Sequence, residues 1–465
     1  MKIELIAAWE SNYSNTKKSK LLAFPTLINL AALTPKENIS VTYEQSKDVN
    51  FNIDADLIGI SYITPFANRA FKIADTFREQ GRTVVLGGPD VTLFPNESEK
   101  HADALFLGEA EYSWLRLIED FKRNKLKKRY YGETLPNLSN LPPPRFDLIY
   151  NDFFLSQAIT VTRGCPFSCN FCLMKSVTPG FRVRPIKDVI RDIKLHEGKS
   201  WLQNKVIWFW DDNLIGDINY AKELFIALKP LKKWWIAQVT SNIAADDQLL
   251  KLAADSGCIA LYIGFESFNQ KSLKDVNKFH NQVNKYEKIV KKIHNYGIAV
   301  SSGLIVGFDF DTENIFNDSI KSMNSIGIDW VNANIIVPFQ GTPLYDKLKE
   351  ENRILTENKY YYNGSTAVFK PKLIGEKELN DGFHQMVKNI YSLKNILIRF
   401  KKFYSDVPKS RIGAYLIFLF GNFLFNYLRR KPRPIKEKIT NTVIMNVKSY
   451  KHTDEKSILV DINDG

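Results

Sequence analysis

The chain of 465 residues has little cysteine, four in all, three of them within eight residues. A secreted domain stapled by disulfides spreads more cysteines along a shorter chain, so that class is excluded. Histidine is also scarce, at six, and His101 is the only one before residue 136. No repeat of solenoid period occurs, and no RNA-binding motif. The N-terminal apolar run Met1–Trp9 is interrupted by Glu4. It reads as a first strand and not as a signal peptide. A reducing cytoplasm is the expected compartment.

What is present describes a globular chain. Apolar residues make up 44% and charged residues 25%, which excludes wholesale disorder. With 31 Phe and 20 Tyr, large cores can form. The length suggests about three domains, or two with one large. The net charge of +13 favours an anionic partner such as nucleic acid, a phosphate cofactor or a membrane surface.

Residues 1–135 alternate strand and helix patterns. Leu57–Tyr62 and Thr83–Gly87 are continuous apolar runs ending in small residues, as strands buried on both faces require. Lys2–Ala8, Ser40–Tyr43 and Ala104–Gly108 are further strands, with helices over Asn68–Gln80 and Glu111–Arg123. The pattern predicts an α/β, doubly wound, Rossmann-like domain. Residues 136–150, with Leu141-Pro-Pro-Pro-Arg145, read as a stiff linker. Over 151–345 six strands are predicted: Ala158–Thr162, Val206–Trp210, Trp235–Thr240, Ala260–Phe265, Ala299–Val306 and Trp330–Val337. Six βα units fit a partial parallel barrel, since a full one needs about 250 residues. Residues 346–465 read as helical and basic.

The segment Cys165-Pro-Phe-Ser-Cys169-Asn-Phe-Cys172 is a C-x3-C-x2-C triplet after a predicted strand. Three thiolates on one loop can hold three corners of a cubane iron–sulfur cluster and leave its fourth iron open. The rivals are three core cysteines gathered by chance, and a zinc site lacking its fourth ligand. Cys258, far along the chain, reads as a small buried hydrophobe.

The triplet, with Phe171 before its last cysteine, resembles the radical S-adenosylmethionine (radical SAM) superfamily. The order of Rossmann unit, linker and barrel is similar to the subfamily carrying a cobalamin-binding domain. So are Ser61-Tyr-Ile-Thr64, Gly87-Gly-Pro89 and Gly108-Glu-Ala-Glu111. The resemblance implies a 4Fe–4S cluster on Cys165, Cys169 and Cys172, cleavage of SAM to a 5′-deoxyadenosyl radical, and a corrinoid that carries a methyl group. It places Ser61, Thr64, Gly87, Gly88, Gly108 and Glu109 around cobalamin. SAM contacts would come from Phe171, Asp211, Gln238, Ser241, Glu266, Ser267, Gly303, Ile305 and Gly307. Asp211 reads equally as the cap of the next helix, and Gln238 and Ser241 equally as sheet packing. Lys278 reads as a solvated lysine. With His101 on a polar helix end, any bound cobalamin is expected to lack a histidine ligand. The group that does the catalysis beyond these cofactors is not legible.

Ile412–Leu428 is the most apolar stretch, seventeen residues broken by Asn422 and Asn426. A spanning helix needs about 20 apolar residues, so this one is too short. It reads as a helix packed on the barrel, or as an interfacial helix or lipid-accepting wall beside the basic Arg429–Arg433. The order of tail landmarks also resembles the subgroup with hopanoid methylases, which suits a hydrophobic substrate.

The expected function is therefore methylation of an unactivated carbon on a hydrophobic small molecule. A flavodoxin or ferredoxin would donate the electron, and the membrane contact would be peripheral at the inner face. Alternatives are radical SAM chemistry without methyl transfer, such as cyclisation or C–C bond formation, and nucleic-acid binding. The last is disfavoured by the dispersed basic residues.

Overall fold

The computed structural model describes residues 1–10, 19–35, 39–132 and 135–429. The basic stretch after Arg429 and the tail beyond Thr453 lie outside the described residues.

Two parallel six-stranded sheets organise the chain. The first contains β1 (Ile3–Ala7), β2 (Ile39–Tyr43), β3 (Leu57–Ser61), β4 (Thr83–Gly87), β5 (Ala104–Leu107) and β6 (Arg129–Tyr131). Their order is β2-β1-β3-β4-β5-β6. This is the doubly wound arrangement, in which ligands bind beyond the carboxyl ends of the strands. The helix Pro25–Leu33 and strand β6 were not anticipated. The helix starts on a proline, which supplies its first turn with no N–H to satisfy. β6 lies in a basic stretch whose only buried side chain is Tyr130.

After a short strand β7 (Ala158–Ile159), the chain forms a small antiparallel pair, β8 (Thr162–Arg163) with β9 (Arg182–Val183). Then follow β10 (Val206–Phe209), β11 (Trp234–Val239), β12 (Cys258–Glu266), β13 (Ala299–Val306) and β14 (Trp330–Ile335). The second sheet runs β14-β13-β12-β11-β10-β7, a partial barrel. The predicted strand Ala158–Thr162 is broken because the Asp211 carboxylate takes the N–H groups of Val161 and Thr162, removing them from a ladder.

One apolar core runs through both sheets. Ile3, Leu5, Leu27 and Trp114 of the first continue into Phe146, Phe153 and Ile193 beside the second. The other face of the first sheet has its own smaller core around Ile58, Phe71 and Phe77. The proline segment is tied down: Arg145 N donates to Ile28 O at 3.1 Å, and Arg191 donates to Leu141 O at 2.7 Å.

The helices Leu393–Asp406 and Ile412–Arg429 lie on the amino-terminal ends of the barrel strands. Gly413 abuts Ile259 and Trp234, and Gly421 abuts Trp330. Arg399, fully buried, donates to Asp329 O, Ile390 O and the Asn422 side chain. Asn422, which reads in sequence as an interruption, is thus the lock of this hairpin. The helix sits at the end of the barrel opposite its mouth, so it is no wall of the site there. No described helix is long and apolar enough to cross a membrane.

Candidate active site

Cys165, Cys169 and Cys172 occupy the loop after β8, all half-buried, with their thiols pushed up by burial. Among the described residues no three His, Cys, Asp or Glu side chains gather tightly enough for a single metal ion. Three thiols on one short loop suit a cubane, whose thiolate ligands sit on different irons. Cys258 is buried in β12 and takes no part.

Asp211 is buried and anchors the start of this loop. Its Oδ1 accepts from Val161 N at 2.8 Å, from Thr162 N, and from Thr162 Oγ1 at 2.9 Å. It is a tether of the loop, not a free SAM ligand. Burial pushes its carboxyl up to about 7. Its neighbour Asp212 accepts from Gly164 N–H and faces Cys165 and Cys172 closely enough to raise both thiols. Of the two adjacent aspartates, Asp212 is therefore the one that faces the cysteines. Exposed Gln238 donates to Asp212 O at 3.1 Å.

Glu266 ends β12 with φ of 64°, beside an irregularity in the pairing of β12 with β13. A non-glycine residue held in the left-handed region marks a functional candidate. Its carboxylate lies over Gly303, where a Cβ would stand 2.6 Å from Glu266 Oε2 and 2.8 Å from Tyr262 Oη. Glycine at 303 is what leaves room for it. Lys278 donates to Glu266 Oε1 at 3.2 Å and lies over the Phe171 ring. It is buried, not solvated. Burial pushes its ammonium down, but Glu266 and the thiolates of Cys169 and Cys172 outweigh this and raise it. Sequence reading missed Lys278 because only the fold brings it to the cysteines.

Other predicted contacts divide. Half-buried Ile305 stays with Gly303 on β13, near the mouth. Ser241 is buried and bonded to Asn281, and Ser267 is buried and accepts from Asn269 N. Both hydroxyls are committed to the fold. Gly307 is turned to the helix Glu376–Ile390, with Leu379 3.0 Å from where its Cβ would be, and its N–H goes to Asp311. These three are not brought to the site.

A cavity of about 310 Å³ opens between the carboxyl ends of the first sheet and the cysteine-bearing loop. Ser61, Gly87, Gly88, Gly108 and Glu109 line it from one side, Arg163 and Trp210 from the other. Gly88 has φ of 107°, and a Cβ there would lie 2.6 Å from Tyr62 O, so the backbone itself forms this wall. Thr64 is not in it: buried, its hydroxyl serves Asp90. Glu109 lines the cavity, but its carboxylate is held by Arg163 at 2.6 Å and Arg182 at 2.5 Å. Arg163 also pairs with Glu111. This cluster ties the cavity rim to the residue two before Cys165. His101 lies outside the cavity, half-exposed, stacked on Phe71 and bonded to Asp75 at 2.8 Å.

The comparisons with known proteins agree. Residues 159–323 match the radical SAM superfamily, and 342–416 match a domain of unknown function. The bacteriochlorophyllide d C-8(2)-methyltransferase of Chlorobaculum tepidum is 32% identical over 83% of this chain and 88% of its own length. The C-12(1)-methyltransferase of the same organism is 30% identical, covering 82% of each chain. The chain belongs to the radical SAM superfamily. The cobalamin-dependent radical enzyme OxsB, solved with aqua-cobalamin and SAM bound, shares the fold of this radical SAM protein. The TM-score is 0.64 at 16% identity, over 99% of this chain and 80% of that one. The cofactors of the cobalamin-dependent branch fit the residues present. Three half-buried thiols on one loop suit a cluster, and a glycine-walled cavity at the carboxyl ends of a doubly wound sheet suits a broad ring.

Proposed function

We propose that this radical SAM enzyme methylates an unactivated carbon of a hydrophobic small molecule, with cobalamin as methyl carrier. The observation that carries this reading is the cavity between the glycine-rich strand ends and the cysteine loop. Its lining is largely apolar, with Leu27, Leu30, Leu33, Phe106, Trp114 and Trp210 among its walls. In this reading residues 1–135 seat the corrinoid, 136–150 link, 151–345 form the SAM barrel, and 346–465 are a helical extension.

When bound, the cluster splits SAM into methionine and a 5′-deoxyadenosyl radical, and the corrinoid supplies the methyl group. The protein's own residues position and enclose. Cys165, Cys169 and Cys172 hold the cluster, and Asp211 fixes their loop. Glu266 and Lys278 present opposite charges beside it, complementary to a zwitterionic amino acid portion. Half-buried Ile305, two residues beyond Gly303, offers an apolar edge for a purine. Trp210, braced edge-on by Phe24 at 4.9 Å, excludes water from the space between the sheets. A one-electron donor protein, flavodoxin or ferredoxin, supplies the reducing equivalent.

Peripheral contact with an anionic membrane belongs to the same reading. Leu393, Leu397, Ile412, Leu416, Leu419 and Phe423 are all at least half exposed on the two C-terminal helices, where an apolar face this large asks for cover. Exposed Lys394, Lys401 and Lys409 flank it.

The test is anaerobic reconstitution with iron, sulfide and hydroxocobalamin, then dithionite and SAM. Both 5′-deoxyadenosine and S-adenosylhomocysteine are expected, and Cys169→Ala should lose the iron and both products. Release of 5′-deoxyadenosine alone, from protein that retains no corrinoid, would favour cyclisation or C–C bond formation.

A further inference from the structure

The segment after β12 carries a surface that neither the cofactor sites nor the substrate cavity explains. It runs through the helix Gln270–Asp275 to Lys285 and backs directly onto the cysteine loop. Asn277 donates to Ser168 O at 2.9 Å, Asn170 N donates to Val276 O at 3.0 Å, and the His280 ring lies 4.1 Å from that of Phe167. The segment is also braced against the strand end that bears Glu266. Buried Asn281 donates to Gly264 O at 2.7 Å and Phe265 O at 3.0 Å. Gln270 accepts from Val283 N at 2.9 Å, which holds the two halves of the segment together.

Its outer side is an open hollow of about 590 Å³ lined by Gln270, Lys274, Phe279, Gln282, Val283 and Asn284. Phe279 is 62% exposed, and the residue after it, His280, packs against the cysteine loop. Lys271, Lys274 and Lys285 are exposed on the same segment, and Lys288 on the helix Tyr286–Asn295 that follows. Two acids of the segment and the helix after it are paired: Asp275 with Lys347 at 3.3 Å, a lysine shared with Asp309, and Glu287 with Lys402 at 2.9 Å. The result is a positive field around a planar apolar side chain, one residue removed from the covering of the cysteine loop.

We propose that this hollow is the docking surface for an acidic, flavin-bearing one-electron carrier protein, a flavodoxin. The inference rests on the reading of the cysteine loop as a redox cluster. Charge complementarity selects the partner: exposed lysines steer an acidic protein and set its on-rate, while Phe279 gives an exposed flavin edge a flat apolar seat. The carrier gives up one electron, its anionic hydroquinone becoming the neutral semiquinone, and the cluster accepts that electron. No proton has to move, and the packed rings of His280 and Phe167 stand between the hollow and the cysteine loop. The surface lies by the barrel mouth, at the opposite end from the apolar helices Leu393–Asp406 and Ile412–Arg429, so one molecule can use both at once.

The experiment compares cluster-loaded wild type with a Lys271→Glu/Lys274→Glu/Lys285→Glu variant. Production of 5′-deoxyadenosine is followed with photoreduced flavodoxin and, separately, with dithionite. The flavodoxin concentration for half-maximal rate should rise at least tenfold in the variant, while the dithionite rate stays within twofold. Equal flavodoxin dependence in the two proteins overturns the proposal. A readout independent of turnover is carbodiimide crosslinking of wild-type holoprotein to flavodoxin, mapped by mass spectrometry. Crosslinks at Lys271, Lys274 or Lys285 support the surface. Crosslinks only elsewhere, or formed with a ferredoxin and not with flavodoxin, overturn it. Failure of the underlying site reading is distinguishable, because wild type would then yield no 5′-deoxyadenosine even with dithionite.

Discussion

Lys278 donates to Glu266 across 3.2 Å, and both side chains are withdrawn from solvent beside the cysteine loop. Neither charge can lose the other cheaply, since breaking a buried pair from one side leaves an uncompensated ion. Lys278→Met and Glu266→Gln should each lower the rate of SAM cleavage at least tenfold. Lys278→Arg should recover part of it. The measurement is 5′-deoxyadenosine per cluster under dithionite, with the iron content of each variant determined alongside. Full activity in Lys278→Met would remove the pair from the site.

Asp211 predicts a pH dependence of stability. Its carboxyl titrates at about 7 when folded, against 3.8 when free. From about pH 4 to 7 the folded state keeps a proton that the unfolded state has released. Stability therefore falls as pH rises through that window, by at most about 1.4 kcal/mol per unit, and levels off above it. All three of its hydrogen bonds go to Oδ1, so Asp211→Asn keeps the tether and removes the titration. The melting temperature of wild type should drop between pH 5 and 7.5 more than that of Asp211→Asn. Identical slopes would assign the dependence to another group.

Arg399 holds the C-terminal hairpin through main-chain carbonyls and Asn422, and burial brings its guanidinium down to about 10. Arg399→Ala opens a cavity and strands several acceptors. A loss of about 3 kcal/mol in urea unfolding is expected. Asn422→Ala removes fewer bonds and should cost about 1 kcal/mol. If both variants unfold like wild type, the hairpin is fastened by its apolar contacts alone.

The exposed leucines of that hairpin make a separate prediction. Leu416→Gln/Leu419→Gln/Phe423→Ser replaces only outward-facing side chains, so stability should change by less than about 1 kcal/mol. Flotation of the triple variant with vesicles containing anionic phospholipid should fall at least fivefold relative to wild type. Wild type that stays at the bottom of the gradient at low salt would refute membrane contact.

What the sequence made legible was local. Apolar runs such as Thr83–Gly87 became strands as read because a strand buried on both faces needs no distant information. The cysteine triplet announced itself through spacing within one loop. Residues whose roles depend on partners far along the chain were hidden. Lys278 looks like any surface lysine until β12 and the loop after it bring it to the cysteines. Asp211 and Asp212 are adjacent and identical in kind, and only the side of the strand end each one leaves from decides that one anchors backbone while the other faces the thiols. Thr64, Ser241 and Ser267 have the chemistry of ligands, yet their hydroxyls are taken by neighbours the sequence does not reveal. Asn422 was visible as an oddity in an apolar run, but its reason, Arg399, lies on another helix.

Asp90, wholly buried two residues beyond Gly88, meets its cation Lys359 at 2.8 Å across 269 residues of sequence. During synthesis the first sheet leaves the ribosome complete, with that acid unmatched, long before Lys359 exists. Burying Asp90 without its cation is costly, so the loop around Gly88 reaches its final form only once the third part of the chain has closed over it. The seat proposed for the ring cofactor is thus finished last, by a lysine that follows both sheets in the chain.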